Sequence, residues 1–289
     1  VGEGAEPAAE GEELAEAGKS DEAKYHLETA LTILPSYEHA HLNLGTLYLK
    51  EGLLDKAAAH FLLAAKFKPG FPEAFYNLGT VLAQQEKHEQ AVAQFEQALS
   101  LQPSHANAHY NLGISLTKLG RLQEAESHFR RAIELDPRFG FAHYNLGLVL
   151  NGLSRADEAC EHFRQAAALS PDFLPAKCEH GATLLALGRF QETIAAYQDV
   201  LKADPHNPQA HNNLGLALAR LGQPEAAGEH FAEVTRLEPQ NADACYNYGN
   251  ALFELGNYAA AELQYLQVLR LKPDDTAAQR KLALCRTRQ

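Results

Sequence analysis

The chain has 289 residues, of which 46% are hydrophobic, 21% charged and 8% aromatic, a composition that predicts a folded protein and excludes wholesale disorder. No apolar run approaches the roughly 18 residues of a membrane span, so membrane insertion is not expected. The net charge of −12 argues against nucleic acid as a partner, because phosphate binding needs a concentrated basic surface.

The N-terminal segment is acidic. Residues 1–37 hold nine Asp or Glu against two Lys or Arg. The opening stretch, VGEGAEPAAEGE, lacks both a starting Met and the basic-then-apolar pattern of a signal peptide. We expect a solvated acidic tail followed by a weak first repeat with a frayed first helix, recognisable from Ala23, Leu27 and Pro35, and we expect a cytoplasmic location.

Four series of residues recur along the chain with a common step of 34 residues. The prolines are Pro35, Pro69, Pro103, Pro137, Pro171, Pro205, Pro239 and Pro273. The glycines are Gly45, Gly79, Gly113, Gly147, Gly181, Gly215 and Gly249. A small residue recurs from Ala23 to Ala261, and an aromatic residue recurs from Phe61 to Tyr265. Independent series with one period predict an array of internal repeats.

One central repeat shows how each unit is built. Leucines follow helical spacing up to Gly120, a residue suited to a left-handed helix C-cap. A second helical pattern begins at Leu122 and ends where Pro137 halts it. Each repeat is therefore predicted to be a helical hairpin, and the turn glycine is replaced in two repeats by Glu86 and Ser154.

A glycine also recurs inside the first helix of each hairpin, where it costs about 1 kcal/mol relative to alanine. Such a residue indicates a close approach between the two helices. We expect its partner to be the small residue of the second helix, such as Ala57 or Ala125, with the aromatic residue Phe61 or Phe129 filling the space beside that contact.

This pattern of Leu-Gly, Ala, an aromatic residue, Ala and Pro within 34 residues resembles the tetratricopeptide repeat family, over residues 4–275. The resemblance implies an all-α fold, a right-handed superhelix (TPR solenoid) of eight hairpins, with first helices lining a concave groove. The expected organisation is an acidic tail and degenerate first repeat in residues 1–37, seven repeats in 38–275, and a C-terminal capping helix in 276–289.

No catalytic motif, phosphate-binding loop or cofactor signature is present, so we expect no enzyme activity, no catalytic residue and no cofactor. The four cysteines, 160, 178, 245 and 285, lack metal-site spacing and are interpreted as buried apolar side chains. Histidines recur at two repeat positions. The first set, expected to pack between helices, is His41, His109, His143 and His211; the second, expected on the convex surface, is His26, His60, His128, His162 and His230. No metal site is predicted, because the histidines are spread along the array instead of converging.

An asparagine series immediately before the Leu-Gly positions is the candidate binding site. Its members are Asn43, Asn77, Asn111, Asn145, Asn213 and Asn247, and the candidate site also includes the adjacent Tyr76, Tyr110, Tyr144 and Tyr246. An asparagine amide offers a donor and an acceptor to a peptide backbone. The arrangement is similar to the asparagine ladder of O-linked N-acetylglucosamine transferases, whose geometry would direct the series into the groove. The alternative is that these asparagines only satisfy local backbone groups.

Three functions remain open on this evidence. The first is a non-catalytic scaffold that binds a protein or peptide segment in the groove. The second is the substrate-recognition region of a larger enzyme, such as a glycosyltransferase, which the abrupt acidic start without Met motivates. The third is a structural unit that self-associates through its solenoid ends. Charges at groove positions, including Lys50, Lys118 and Arg220 against Glu73, Glu179, Asp243 and Glu254, nearly cancel and favour neither an acidic nor a basic ligand.

Overall fold

The structure is a computed structural model that describes residues 5–288. This range contains 17 α-helices and no strand, which confirms the all-α fold class. The helices form two compact units, the first ending at Leu153 and the second beginning at Ser154. The first unit contains α1 (Ala5–Glu16), α2 (Ser20–Ile33), α3 (Glu38–Lys50), α4 (Leu54–Phe67), α5 (Pro72–Gln84), α6 (His88–Leu101), α7 (Ala106–Lys118), α8 (Leu122–Leu135) and α9 (Gly140–Gly152). The second contains α10 (Ala156–Leu169), α11 (Leu174–Ala186), α12 (Phe190–Ala203), α13 (Pro208–Arg220), α14 (Pro224–Leu237), α15 (Ala242–Glu254), α16 (Tyr258–Leu271) and α17 (Thr276–Arg288).

The helices alternate between the first and second arms of the predicted hairpins. First helices carry odd numbers and second helices even numbers. The turn between the two arms places its glycine in the left-handed region, as at Gly120 with φ 74°. Glu86 and Ser154 take the same conformation with φ of 60° and 61°, although a side chain disfavours it. The hairpin turns are therefore where the sequence placed them.

In six hairpins, the glycine inside the first helix lies directly under an aromatic ring of the second helix. A Cβ atom added at Gly45 would lie 2.6 Å from Cε1 of Phe61, and one at Gly113 would lie 2.8 Å from Cε1 of Phe129. The predicted alanine partner was wrong, because the nearest atoms belong to the ring itself. Phe61 and Phe129 are fully buried, so the missing side chain of glycine is what allows the ring to enter the core.

The acidic N-terminal segment is ordered into helix α1 from residue 5 onward, which corrects the expectation of a solvated tail there; residues 1–4 lie outside the described residues. Ala8 is fully buried, and a Cβ atom at Gly11 would lie 2.7 Å from Cγ of Leu27 in α2. Gly11 precedes Gly45 by one repeat length and plays the same part. The apolar face of α1 consists of alanine and glycine instead of larger residues, so the acidic residues dominate the sequence pattern of this helix.

The C-terminal helix α17 packs on α16. It buries Ala278, Leu282 and Cys285 and leaves Arg280 and Leu284 exposed. This helix therefore has one buried face and one face in contact with solvent.

The two histidine sets meet in pairs between the first and second helix of the same hairpin. In three hairpins, Nδ1 of the first-set histidine lies 2.9–3.0 Å from Nδ1 of the histidine 19 residues later. The pairs are His41–His60, His109–His128 and His211–His230. The second members, His60, His128 and His230, are half-buried and contact the first helix of their own hairpin.

Each pair has a defined proton arrangement. The Nε2 atom of His109 lies 3.1 Å from the carbonyl oxygen of Pro103, and His41 and His211 make the equivalent contact. A carbonyl only accepts, so this Nε2 donates to it, and Nδ1 of the same ring is then the acceptor for Nδ1–H of the second histidine. Burial, followed by the charge of the facing ring, lowers the pKa of His60, His128 and His230.

The glycine–ring contact leads to a prediction with a matched control in one hairpin. We expect Gly215→Ala to lower the free energy of unfolding by about 1–3 kcal/mol, because the methyl group would lie 2.8 Å from Cε1 of Phe231. Gly228→Ala should raise it by about 0.5–1 kcal/mol, because its nearest contact is 3.7 Å away and alanine favours the helix. Urea unfolding followed by circular dichroism measures both; a stabilising Gly215→Ala would contradict the contact.

The histidine pairs predict a loss of stability in mild acid. Because folding lowers the pKa of the second histidines, their contribution is complete above the ordinary value of 6.5 and decreases as the pH falls below it. Replacing His60, His128 and His230 together by Gln, whose amide still donates to the partner ring, should flatten the decrease in unfolding free energy between about pH 6.5 and pH 5. The exposed His206→Gln serves as the control and should keep the wild-type slope. An identical slope in the triple variant would contradict the assignment.

Candidate functional site

The asparagine series lies on the face formed by neighbouring first helices, here called the first-helix face. Within the first unit this face consists of α1, α3, α5, α7 and α9, and within the second unit of α11, α13 and α15. Five of the six asparagines precede a buried leucine and glycine, such as Leu112 and Gly113 after Asn111, and Asn247 precedes Tyr248 and Gly249. Because successive helix residues are rotated by about 100°, the asparagine is turned away from the core. All six members are half-buried.

In the first unit, two asparagines link neighbouring repeats. The Nδ2 atom of Asn111 donates to the hydroxyl of Tyr76 at 3.2 Å, and that of Asn145 donates to the hydroxyl of Tyr110 at 3.1 Å. Asn145 also donates to the carbonyl of Phe141 in its own helix at 2.9 Å. The bond to the tyrosine of the preceding repeat fixes the orientation of the amide and leaves its carbonyl oxygen as the group available to a ligand.

The tyrosines of the candidate site are half-buried supports for this arrangement, not free surface rings. The ring centroid of Tyr76 lies 4.7 Å from that of His105, and the centroid of Tyr110 lies 4.6 Å from that of Phe139. Burial raises the pKa of both hydroxyls, so they are neutral and can accept from an amide. Tyr144 is half-buried at the equivalent position of α9.

The remaining asparagines differ in how their amides are used. Asn43 donates to the carboxylate of Glu12 at 2.7 Å. Asn77 and Asn247 have no hydrogen-bond partner for their side chains within residues 5–288. Glu12 was not among the predicted site residues, although Gly11 beside it continues the glycine series by one repeat length. The series thus offers at least two amides with both groups unused.

In the second unit, a different tyrosine supports the series where the usual one is absent. Cys178 occupies the position that would carry the tyrosine for Asn213, whose Nδ2 instead donates to the hydroxyl of Tyr197 at 2.7 Å. Tyr197 replaces the core phenylalanine of other repeats and donates onward to the carbonyl of Cys178 at 3.1 Å. Tyr246 packs on Tyr265 with a centroid distance of 5.8 Å. The hydroxyl of Tyr197 in the core thus takes the place of the tyrosine hydroxyl that is absent at Cys178.

The charges on the first-helix face are unequally available. Asp243 pairs with Lys272 at 2.7 Å, so this carboxylate is already neutralised. Arg220 and Glu254 are exposed and form no ion pair with another described residue. Within residues 5–288, no group of three or more His, Cys, Asp or Glu side chains could hold a metal ion. Burial raises the pKa of the cysteine thiols, which keeps them protonated.

Two family models of the tetratricopeptide repeat match the chain. One matches residues 76–138, 128–172 and 178–242, and the other matches residues 14–79 and 218–285. No curated protein matches the sequence. None of the helices described here combines the length and apolar character needed to cross a membrane.

Solved structures of repeat proteins resemble the chain. YrrB, described as a TPR protein with an unusual peptide-binding site, is 25% identical over 65% of this chain and 96% of its own, with a TM-score of 0.61. MamA is 25% identical over 56% of this chain and 94% of its own, with a TM-score of 0.53. A tetratricopeptide repeat protein from Parabacteroides merdae, 17% identical over 86% of this chain and 98% of its own, shares the fold with a TM-score of 0.57. The 34-residue hairpins, the glycine under each aromatic ring and these matches establish that the chain belongs to the tetratricopeptide repeat family.

Proposed function

We propose that the protein is a non-catalytic interaction scaffold that binds an extended segment of a partner protein along the first-helix face. The observation that carries the proposal is the Asn–Tyr hydrogen bond between residues 35 positions apart, which holds Asn111 and Asn145 in a fixed orientation. An asparagine held through its amide nitrogen presents a carbonyl oxygen that accepts from a peptide N–H. Because the orientation is set before binding, little side-chain entropy is lost when a ligand binds.

The spacing of the series in the first unit suits a peptide backbone. Four asparagines, from Asn43 to Asn145, stand on consecutive first helices. With packed helices about 8–10 Å apart, the three intervals cover roughly 30 Å, which corresponds to about nine residues of extended chain at ~3.3 Å each. Hydrogen bonds from these amides would contact the main chain of the ligand and would not depend on its side chains. The same logic underlies the likeness to the asparagine ladder of O-linked N-acetylglucosamine transferases, and the peptide-binding site named for YrrB supports it.

A combined substitution tests the proposal. Replacing Asn77, Asn111 and Asn145 by Ala removes three hydrogen bonds of about 1 kcal/mol each, so peptide affinity should fall on the order of a hundredfold. Twelve-residue peptides selected from a random display library on the wild-type protein supply the ligands. Their dissociation constants for both proteins are measured by fluorescence anisotropy.

The control for this experiment is a pair of exposed amides on second helices, Gln97 in α6 and Gln123 in α8. Replacing both by Ala should leave the same affinities unchanged. Selected peptides that bind the asparagine variant as tightly as the wild type, or a selection that yields no peptide at all, would refute the proposed function.

A second pair of variants separates binding from stability. Asn111→Ala should lower the free energy of unfolding by about 1 kcal/mol, because it breaks the bond to Tyr76. Asn77→Ala should leave it nearly unchanged, because no described residue bonds to that side chain, and yet weaken peptide binding. Urea unfolding compares the two. Equal losses of stability in both variants would favour the alternative that the series is purely structural.

A further inference from the structure

Two clefts open on the first-helix face of the second unit, one on each side of α13. The first cleft, about 380 Å³, is lined by Leu185 and Phe190 on one wall and by Leu216 and Arg220 on the other. The second cleft, about 450 Å³, lies between α13 and α15 and has Pro224 and Phe231 at its base. Leu216 and Arg220 line both clefts. Two mainly apolar spaces are therefore separated by one helix that carries a cation.

The second cleft extends to the core ring of Phe231 because small residues stand where the two neighbouring repeats carry larger ones. Helix α14 begins with Pro224 where α12 and α16 begin with Phe190 and Tyr258. Ala219 stands where the neighbouring repeats carry Leu185 and Phe253. Leu185 and Phe190 form a wall of the first cleft, whose lining does not include the core ring Tyr197, whereas the second cleft has the buried ring of Phe231 as its floor.

Arg220 is charged and unpaired beside both clefts. Two other arginines of this unit, Arg189 and Arg236, are neutralised locally, because they form bidentate ion pairs with Glu192 and Glu233 three residues away. Arg220 has no such partner in the described part of the chain and is exposed. Among the described residues, it is the one charged residue that lines the first cleft. An acidic group of a ligand placed over α13 would therefore meet an unused guanidinium.

The distance between the two clefts favours one backbone conformation of a bound peptide. Their centres are separated by one helix, or about 8–10 Å. A polyproline II segment returns to the same face every three residues and rises about 3.1 Å per residue, so side chains at positions i and i+3 point the same way about 9 Å apart. In a flat β-strand these two side chains would point to opposite faces.

We propose that the second unit reads ligand side chains: it binds a polyproline II segment with apolar side chains at positions i and i+3 in the two clefts and an acidic residue between them against Arg220. The inference rests on the proposed function and adds a sequence preference to main-chain binding. Glu254, which lines only the far wall of the second cleft, disfavours acid beyond position i+3 and so sets the placement of the charge.

The probe is a fluorescein-labelled twelve-residue peptide in which Leu-Glu-Pro-Leu is flanked on each side by Gly-Ser-Gly-Ser. Two companions carry Leu-Lys-Pro-Leu or Ser-Glu-Pro-Ser at the centre. We expect the first peptide to bind the full chain about fivefold more tightly than the lysine peptide, with the difference disappearing in 1 M salt. The serine peptide should bind about tenfold more weakly, because it buries no leucine.

Substitutions assign the preference to the two clefts. Arg220→Glu should reverse the order of the glutamate and lysine peptides, whereas Lys118→Glu, at the equivalent exposed position of α7, should leave it unchanged. Ala219→Phe should fill the second cleft and weaken the glutamate peptide about tenfold. Both Arg220 and Ala219 are exposed, so circular dichroism melting should match the wild type and exclude a folding defect.

The failure of this inference is distinct from failure of the proposed function. If the three peptides bind equally, or if Arg220→Glu leaves their order unchanged, the side-chain preference is wrong, while library peptides that depend on the asparagines still support the scaffold. Absence of binding by the glutamate peptide also overturns the inference. The scaffold itself fails only if no library peptide depends on Asn77, Asn111 and Asn145.

Discussion

The contact between a helical glycine and the aromatic ring above it is the constraint on which the other features depend. A ring at the position of Phe95 or Phe129 can be fully buried only if the opposing helix offers no side chain there. The glycine weakens its own helix by about 1 kcal/mol, and burial of the ring offsets this. Because the contact fixes how the two arms of a hairpin meet, it also decides which residues remain on the first-helix face.

A constant step of 34 residues then places equivalent side chains in register on successive hairpins. Asn111 and Asn145 reach the tyrosine of the preceding repeat only because both repeats have the same geometry. In the second unit, the hydrogen bond from the asparagine amide to a tyrosine hydroxyl is kept although the tyrosine comes from a different position of the repeat. Where Cys178 interrupts the tyrosines, the core residue Tyr197 brings a hydroxyl to Asn213 from a different helix.

Periodic features were predictable from the sequence, and contacts between different positions of the repeat were not. The hairpins, their turns and the place of the asparagines follow from one residue type recurring at one interval, which needs no knowledge of packing. The histidine pairs join two positions on different helices, so they depend on a distance that periodicity does not contain. The same limit explains why Ala57 was expected where the ring of Phe61 lies, and why the first helix of the weak first repeat, α1, was expected to be frayed.

The size of a single residue near the start of a second helix determines how the first-helix face can recognise a ligand. A large residue there, such as Phe190, forms one wall of the space between first helices, and the lining of that space does not include the buried ring of the hairpin. A small one, such as Pro224, opens the space down to the buried ring, so an apolar side chain of the ligand can replace the missing one. The core supporting Phe231 is unchanged by this choice, because the glycine under the ring carries the packing. Variation at the entrance to the second helix can therefore alter specificity without disturbing the fold.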